Sequence, residues 1–197
     1  MYPCIILCGG LATRLGLIAS ETPKCLLEVN SKPFLYYQLK LLEESDIKEV
    51  YLSVGHMSEN FFDFINKYNF KNIKIKLVDD GSTPLGTGGA VKNILKKIKT
   101  PSFVMYGDSY LRINFFNVFQ KYKPDSGPML VIYKNENKYD KSNIYFDGDN
   151  IIYNKKNPSI KCNFIDYGIG IYKYTDFDNT PDSFDLSLIQ ENFSQKK

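Results

Sequence analysis

Tryptophan is absent from the 197 residues, and histidine occurs once, at His56. One histidine cannot supply a His-rich zinc site, and no nucleophile elbow accompanies it, so His56 is read as a structural or surface residue. The four cysteines, Cys4, Cys8, Cys25 and Cys162, show no metal-ligand spacing. Free buried thiols are expected, which suits a reducing cytosol. Charge of one sign is also scarce: 25 Lys and Arg against 22 Asp and Glu leave a net +3, with the lysines dispersed. That balance argues for no nucleic-acid and no membrane partner. No apolar run approaches the ~18 residues of a membrane helix. The N-terminus has no basic start, and its apolar run is short for a leader. Fifteen tyrosines and fourteen phenylalanines point to no function by themselves.

What is present is alternation. "PCIILC" (3–8) reads as a buried strand, with Cys4 and Cys8 on one face. "PFLYYQLKLLEES" (33–45) has helical spacing with Pro33 in its first turn. "EVYLSVG" (49–55) is a strand, and "SENFFDFINKY" (58–68) is a helix with Ser58 at its N-cap. "IKIKLVDD" (73–80) is a strand, "GTGGAVKNILKKIK" (86–99) an amphipathic helix, and "SFVMYGD" (102–108) a strand. This order predicts an α/β fold: a Rossmann-like, mostly parallel mixed sheet covered by helices on both faces. Past a helix at 114–123 the pattern becomes strand-rich: "GPMLVIYKN", "SNIYFDGDNIIYNKK" with a turn at Asp147-Gly148-Asp149, and "FIDYGIGIYKY". One domain spanning 1–197 is expected, with lobes at about 1–112 and 113–197. "FDLSLIQENFSQKK" starts as a helix and runs into a polar, basic tail, as at a truncated C-terminus.

In such sheets ligands bind beyond the carboxyl ends of the strands. Four segments fall there. "ILCGGLATRLG" (6–16) turns on two glycines whose backbone N–H groups can form an anion nest, and Arg14 adds a fork suited to phosphate. "TPKCLL" sets Lys24 behind the rigid Pro23. "STPLGTGGAVKNIL" places Gly86, Gly88 and Gly89 around Thr87 at a helix start, where a flat base or sugar could lie on the backbone. "VMYGDSYL" carries Asp108 to a strand tip, and one such carboxylate beside phosphates suits Mg2+. Each segment alone is also an ordinary turn. Neither the G-x-x-x-x-G-K-[ST] loop nor a G-x-G-x-x-G with its ribose acid occurs.

Taken together, the four segments resemble the sugar-1-phosphate nucleotidyltransferases, or nucleotide-sugar pyrophosphorylases. That family's G-G-x-G-T-R-L, P-K, L-G-T-[AG]-G-A and G-D stand here as Gly9-Gly10-Leu11-Ala12-Thr13-Arg14-Leu15, Pro23-Lys24, Leu85-Gly86-Thr87-Gly88-Gly89-Ala90 and Gly107-Asp108. The resemblance runs from residue 3 to about 175 and is strongest to manno-heptose guanylyltransferases and muramic-acid uridylyltransferases. It implies the nucleotide-diphospho-sugar transferase fold, with a strand-rich sugar-binding lobe. It also implies a cytoplasmic, Mg2+-dependent conversion of NTP and sugar 1-phosphate to NDP-sugar and pyrophosphate, for bacterial surface polysaccharides. By that resemblance Arg14 holds the triphosphate, Lys24 the α-phosphate, and Asp108 the metal. Leu7, Gly9, Gly10, Leu11, Ala12, Thr13 and the Gly86, Thr87, Gly88, Gly89 turn frame the nucleotide. Asn154, Lys155, Asp166 and Gly168 would bind the sugar phosphate. Two departures stand out. Ala12 replaces a glycine, and no second metal-binding acid follows Asp166 in the family's context. A regulatory nucleotide-binding relative, and cytidylyl transfer to a non-sugar phosphate, are the alternatives. The base, the sugar, and monomer or homo-oligomer are left open.

Overall fold

A computed structural model describes residues 1–10, 22–55, 57–81 and 83–195. In chain order the elements are β1 (Cys4–Leu7), β2 (Glu28–Val29), β3 (Lys32–Pro33), α1 (Phe34–Glu43), β4 (Glu49–Val54), α2 (Glu59–Lys67), β5 (Lys74–Asp79), α3 (Gly86–Ile98), β6 (Ser102–Tyr106), α4 (Phe115–Lys121), β7 (Met129–Lys134), β8 (Ile144–Phe146), β9 (Ile151–Tyr153), β10 (Phe164–Tyr172) and α5 (Ser187–Ser194).

Eight strands form one sheet in the order β5-β4-β1-β6-β10-β8-β9, with β7 also against β10. The first four of these run parallel: β1 lies between β4 and β6, and β5 flanks β4. Helical crossovers between parallel neighbours require this arrangement. From β10 onward the pairing is antiparallel, and β10 against β6 joins the second half to the same sheet.

Alternation along β1 sorts the two layers. Cys4 and Ile6 point to one face, where they pack with Leu35, Leu39 and Leu42 of α1, Phe61 and Phe64 of α2, and Phe115 of α4. Ile5 points to the other, against Val91, Ile94 and Leu95 of α3 and Leu186 and Ile189 from the α5 region. Both faces are therefore covered, as the sequence pattern predicts. Cys4, Cys8 and Cys25 share the first of these cores as free thiols, and burial pushes the Cys4 and Cys8 thiols up.

Two local expectations change. Ser58 precedes α2 but makes no side-chain cap; its φ of −57° and ψ of −26° are already helical, whereas a capping residue is extended. Pro33 belongs to the extended residue before α1 rather than to its first turn, with ψ at 143°. It pairs with Glu28 in a small hairpin that helical and strand periodicity did not reveal. Asn30 and Ser31, at φ of 49° and 63°, make its two-residue turn. His56, Lys196 and Lys197 lie outside the described residues.

Candidate active site

The carboxyl ends of β1, β4, β5 and β6 converge on one edge. The Cys8 N–H donates to the Ser53 carbonyl at 2.9 Å, and the Gly107 N–H to the Leu7 carbonyl at 3.0 Å. Gly9 lies against Gly55: a Cβ added to Gly9 would stand 3.5 Å from the Gly55 nitrogen and 3.5 Å from Asp80 Oδ2. Leu7, Gly9 and Gly10 thus end β1 in the middle of this edge, and Gly10 is exposed. Leu11, Ala12, Thr13 and Arg14 lie outside the described residues.

Lys24 opens a short helical turn whose next two residues, Cys25 and Leu26, are buried and anchor it. Its Nζ sits 2.7 Å from Asp108 Oδ2. Eighty-four residues apart in sequence, the two meet just beyond β6. Both side chains are about half exposed, at 46% and 47%. A pair so open to water contributes little stability, and its significance is the placement of charge.

Gly86, Thr87, Gly88 and Gly89 begin α3, but the space beside them is filled by the chain itself. A Cβ at Gly88 would meet the Phe184 ring at 2.3 Å, and one at Gly89 the Asp182 carbonyl at 2.1 Å. The Gly88 N–H donates to the Phe184 carbonyl at 2.8 Å, and Thr87 Oγ1 accepts from the Leu186 N–H at 2.9 Å. The smallness of these glycines therefore has a cause within the chain itself. They make room for residues 182–184, and the Phe184 carbonyl takes an N–H that would otherwise face an anion.

In the second half, Lys155 Nζ reaches Asp185 at 3.0 Å, with both side chains about half exposed. Asn154 turns inward on its own loop: its Oδ1 accepts the Asn157 N–H at 2.8 Å. Asp166 Oδ1 accepts the Gly168 N–H at 2.8 Å, and Oδ2 accepts from Gln190 Nε2 at 3.0 Å. Gly168 has φ of +87°, within the stretch where the β10–β7 register shifts between Asp166 and Gly170. That left-handed backbone favours glycine and aims the N–H at Asp166. A Cβ there would stand 3.0 Å from Ser109 Oγ, one residue past Asp108. Asp166 and Gly168 thus adjoin the Asp108 tip.

The chain matches the MobA-like NTP transferase domain family over residues 4–139. It is 34% identical to a D-glycero-alpha-D-manno-heptose 1-phosphate guanylyltransferase of Campylobacter jejuni, over 96% of this chain and 81% of that one. The chain belongs to the MobA-like NTP transferase family. A second guanylyltransferase of the same description, from Aneurinibacillus thermoaerophilus, is 28% identical over 98% of this chain and 86% of its own. Among solved structures, HddC from Yersinia pseudotuberculosis complexed with GMP-PN superposes with a TM-score of 0.78 at 28% identity, covering 95% of this chain and 84% of that one. The fold expected from the sequence, that of the nucleotide-diphospho-sugar transferases, is the one found.

Three residues near these groups were not singled out from the sequence. Asp80 is partly buried at the end of β5, with the Ser53 hydroxyl 3.1 Å from its Oδ2. Burial raises its carboxyl above the ordinary range, against the lowering effect of Ser53. Asp185 stands beside Lys155; burial acts to raise it, but hydrogen bonds from Ser187 and Lys155 carry it below the ordinary value. Gln190 comes from α5. Asp80 is the one with a legible signal, since it ends a strand predicted at 73–80 on the ligand-binding edge.

A metal fits this edge in one way. Among the described residues no three His, Cys, Asp or Glu side chains cluster. Asp108 offers a single, exposed hard-oxygen ligand. That matches Mg2+, which commonly takes one or two carboxylates and completes its shell with water and substrate phosphates.

Proposed function

We propose that this protein transfers a guanylyl group from GTP to a sugar 1-phosphate of the manno-heptose class, giving a GDP-sugar and pyrophosphate for surface polysaccharide synthesis in the cytoplasm. The observation that carries the reading is the Lys24–Asp108 pair at 2.7 Å beyond β6, on the same edge as the Gly9–Gly10 backbone. A cation and a carboxylate so placed suit a nucleotide triphosphate with its counter-ion.

In this reading an oxygen of the sugar phosphate attacks the α-phosphorus in line, and the bond to pyrophosphate breaks. Lys24 would leave Asp108 for the α-phosphate and neutralise charge that grows in the transition state. Asp108 would hold Mg2+, which when bound neutralises the triphosphate and polarises its oxygens. Arg14, by the motif alone, would take the departing pyrophosphate. Lys155 would exchange Asp185 for the sugar phosphate, and Asp166 would accept hydroxyl hydrogens of the sugar. The chemistry asks for positioning and charge, without a covalent intermediate.

Two lines favour guanine. The two curated relatives named above, similar along nearly the whole chain, are guanylyltransferases by description. Asp80 also sits beside Gly9 as a partly buried carboxylate. Guanine alone among the common bases presents adjacent N1–H and N2–H donors, which one carboxylate accepts together.

The test pairs each of the four NTPs with a panel of sugar 1-phosphates and Mg2+, and follows pyrophosphate. GTP with a manno-heptose 1-phosphate is expected to turn over fastest, and chelation of Mg2+ to stop it. Lys24→Ala should lower kcat by roughly 100-fold or more, with a smaller change in GTP affinity. Tight GTP binding with no pyrophosphate across the panel would instead favour the regulatory reading.

A further inference from the structure

Gln190 is a buried polar side chain that the reaction scheme leaves unused. It lies on α5 with 7% of its surface exposed. Its Nε2 donates twice, to Asp166 Oδ2 at 3.0 Å and to the Tyr172 hydroxyl at 3.0 Å. Its Oε1 is buried without a partner among the described residues. Such an orphan costs stability, so the orientation that produces it has a cause. Turned the other way, Oε1 would face a carboxylate oxygen, acceptor against acceptor. The N–H side therefore suits an Asp166 oxygen that accepts.

We propose that Gln190 is a positioning residue that holds the Asp166 carboxyl aimed at the hydroxyls of the sugar phosphate. This rests on the reading of Asp166 as a sugar-binding carboxylate. The clamp has two sides: the Gly168 N–H takes Oδ1 and the Gln190 amide takes Oδ2, fixing the plane of the carboxylate. Each oxygen keeps a lone pair for a ligand donor. A neutral amide suits this role better than a lysine or arginine would, because it donates without cancelling the charge.

The surroundings explain the need. Tyr106 of β6, Tyr153 of β9 and Tyr172 of β10 all face Asp166, and its charge adds to the burial that pushes their phenols up. Lys155 is the cation that acts on it, and Lys155 is itself paired with Asp185. Burial is the largest influence and leaves the Asp166 carboxyl raised, although the Gly168 N–H, the Gln190 amide and Lys155 each pull it down. When a sugar phosphate engages Lys155, part of that cation's effect is spent on the phosphate. Gln190 then remains, with Gly168, to hold the acceptor.

The experiment compares wild type, Gln190→Met, Asp166→Asn and the double variant in the full chain. Methionine keeps the length of glutamine without its donors. Thermal melts establish that each variant is folded. Gln190→Met is expected to raise KM for the sugar 1-phosphate about tenfold, as for loss of a hydrogen bond to a charged group, with KM for GTP unchanged. The acid limb of kcat/KM should move to higher pH. The carbon-13 titration of the Asp166 carboxyl, which needs no turnover, should move up by about one unit. In the Asp166→Asn background the methionine substitution should add nothing. An unmoved Asp166 titration, equal losses for both substrates, or additivity with Asp166→Asn would overturn the proposal. A wild-type-like Asp166→Asn would overturn the sugar-binding role of Asp166 as well. A defective Asp166→Asn beside a wild-type-like Gln190→Met would overturn the role of Gln190 alone.

Discussion

Asp80 and Gly89 show how differently single residues are constrained on one edge. Asp80 is held by Ser53 and stands beside Gly9, yet burial already raises its carboxyl, so its charge is kept at a cost. An ionised acceptor there is useful if a ligand supplies two donors. Asp80→Asn replaces one acceptor oxygen with a donor of its own and should reduce the preference for GTP over ATP by roughly 10- to 100-fold, the value of one bidentate base contact. Competition between the two nucleotides, followed by pyrophosphate release, measures it; an unchanged ratio would remove Asp80 from base recognition. Gly89 is constrained by the chain rather than by a ligand. Gly89→Ala puts a carbon 2.1 Å from the Asp182 carbonyl and 3.1 Å from Leu85 Cβ, so 182–184 must withdraw. Overpacking of this kind costs about 1–3 kcal/mol, read from denaturant midpoints. A neutral substitution would mean that the 182–184 segment does not seat against α3.

Among the elements, the β8–β9 hairpin is the clearest case of turn chemistry read from sequence. Asp147 accepts the backbone N–H groups of Asn150 and Asp149 and the Asn150 amide, and these hold its carboxyl down at about 2. The folded value lies below the ordinary 3.8, so the contribution is complete above about pH 4 and is lost as pH falls through about 2. Carbon-13 titration of Asp147 should give that low midpoint, and Asp147→Ala should speed exchange of the Asn150 amide at neutral pH; a midpoint near 4 would mean the turn is open. The same kind of local signal made β1, β4, β5, β6 and α1 to α3 legible, because each has its own periodicity and glycines mark where strands end. The β2–β3 hairpin was too short to carry a period. Residues 182–186 carry none either: they are irregular, and their partners at Pro84 and Thr87 lie 99 residues earlier. Lys24 and Asp108 stood out by motif, and the structure brings them together. Asp80 could have been found from its strand end, whereas Gln190 on a short, mixed helix gave no sign of its contact with Asp166.

At the level of the whole molecule, α5 and the segment before it link two halves that the sequence divides. Phe184 and Leu186 bond to the start of α3, Lys155 N–H donates to Glu191 at 3.0 Å, and Tyr153 N–H to Ser194 Oγ at 3.0 Å. Leu186 and Ile189 are 2% and 1% exposed and complete the core on the α3 face, against Val91, Ile94 and Tyr172. Truncating a buried leucine or isoleucine to alanine costs about 2–5 kcal/mol each. Leu186→Ala with Ile189→Ala is thus expected to remove a large share of the roughly 5–15 kcal/mol that holds a domain of this kind together. Because β10 joins both halves in one sheet, the loss should appear as one cooperative transition at lower denaturant, seen equally by far-UV circular dichroism and by tyrosine fluorescence. Separate transitions in the double variant would show instead that the α5 face is a detachable layer. In that case the Lys24–Asp108 edge would survive its loss, and GTP at about 100 times its Kd would still stabilise the remainder by roughly 2.7 kcal/mol.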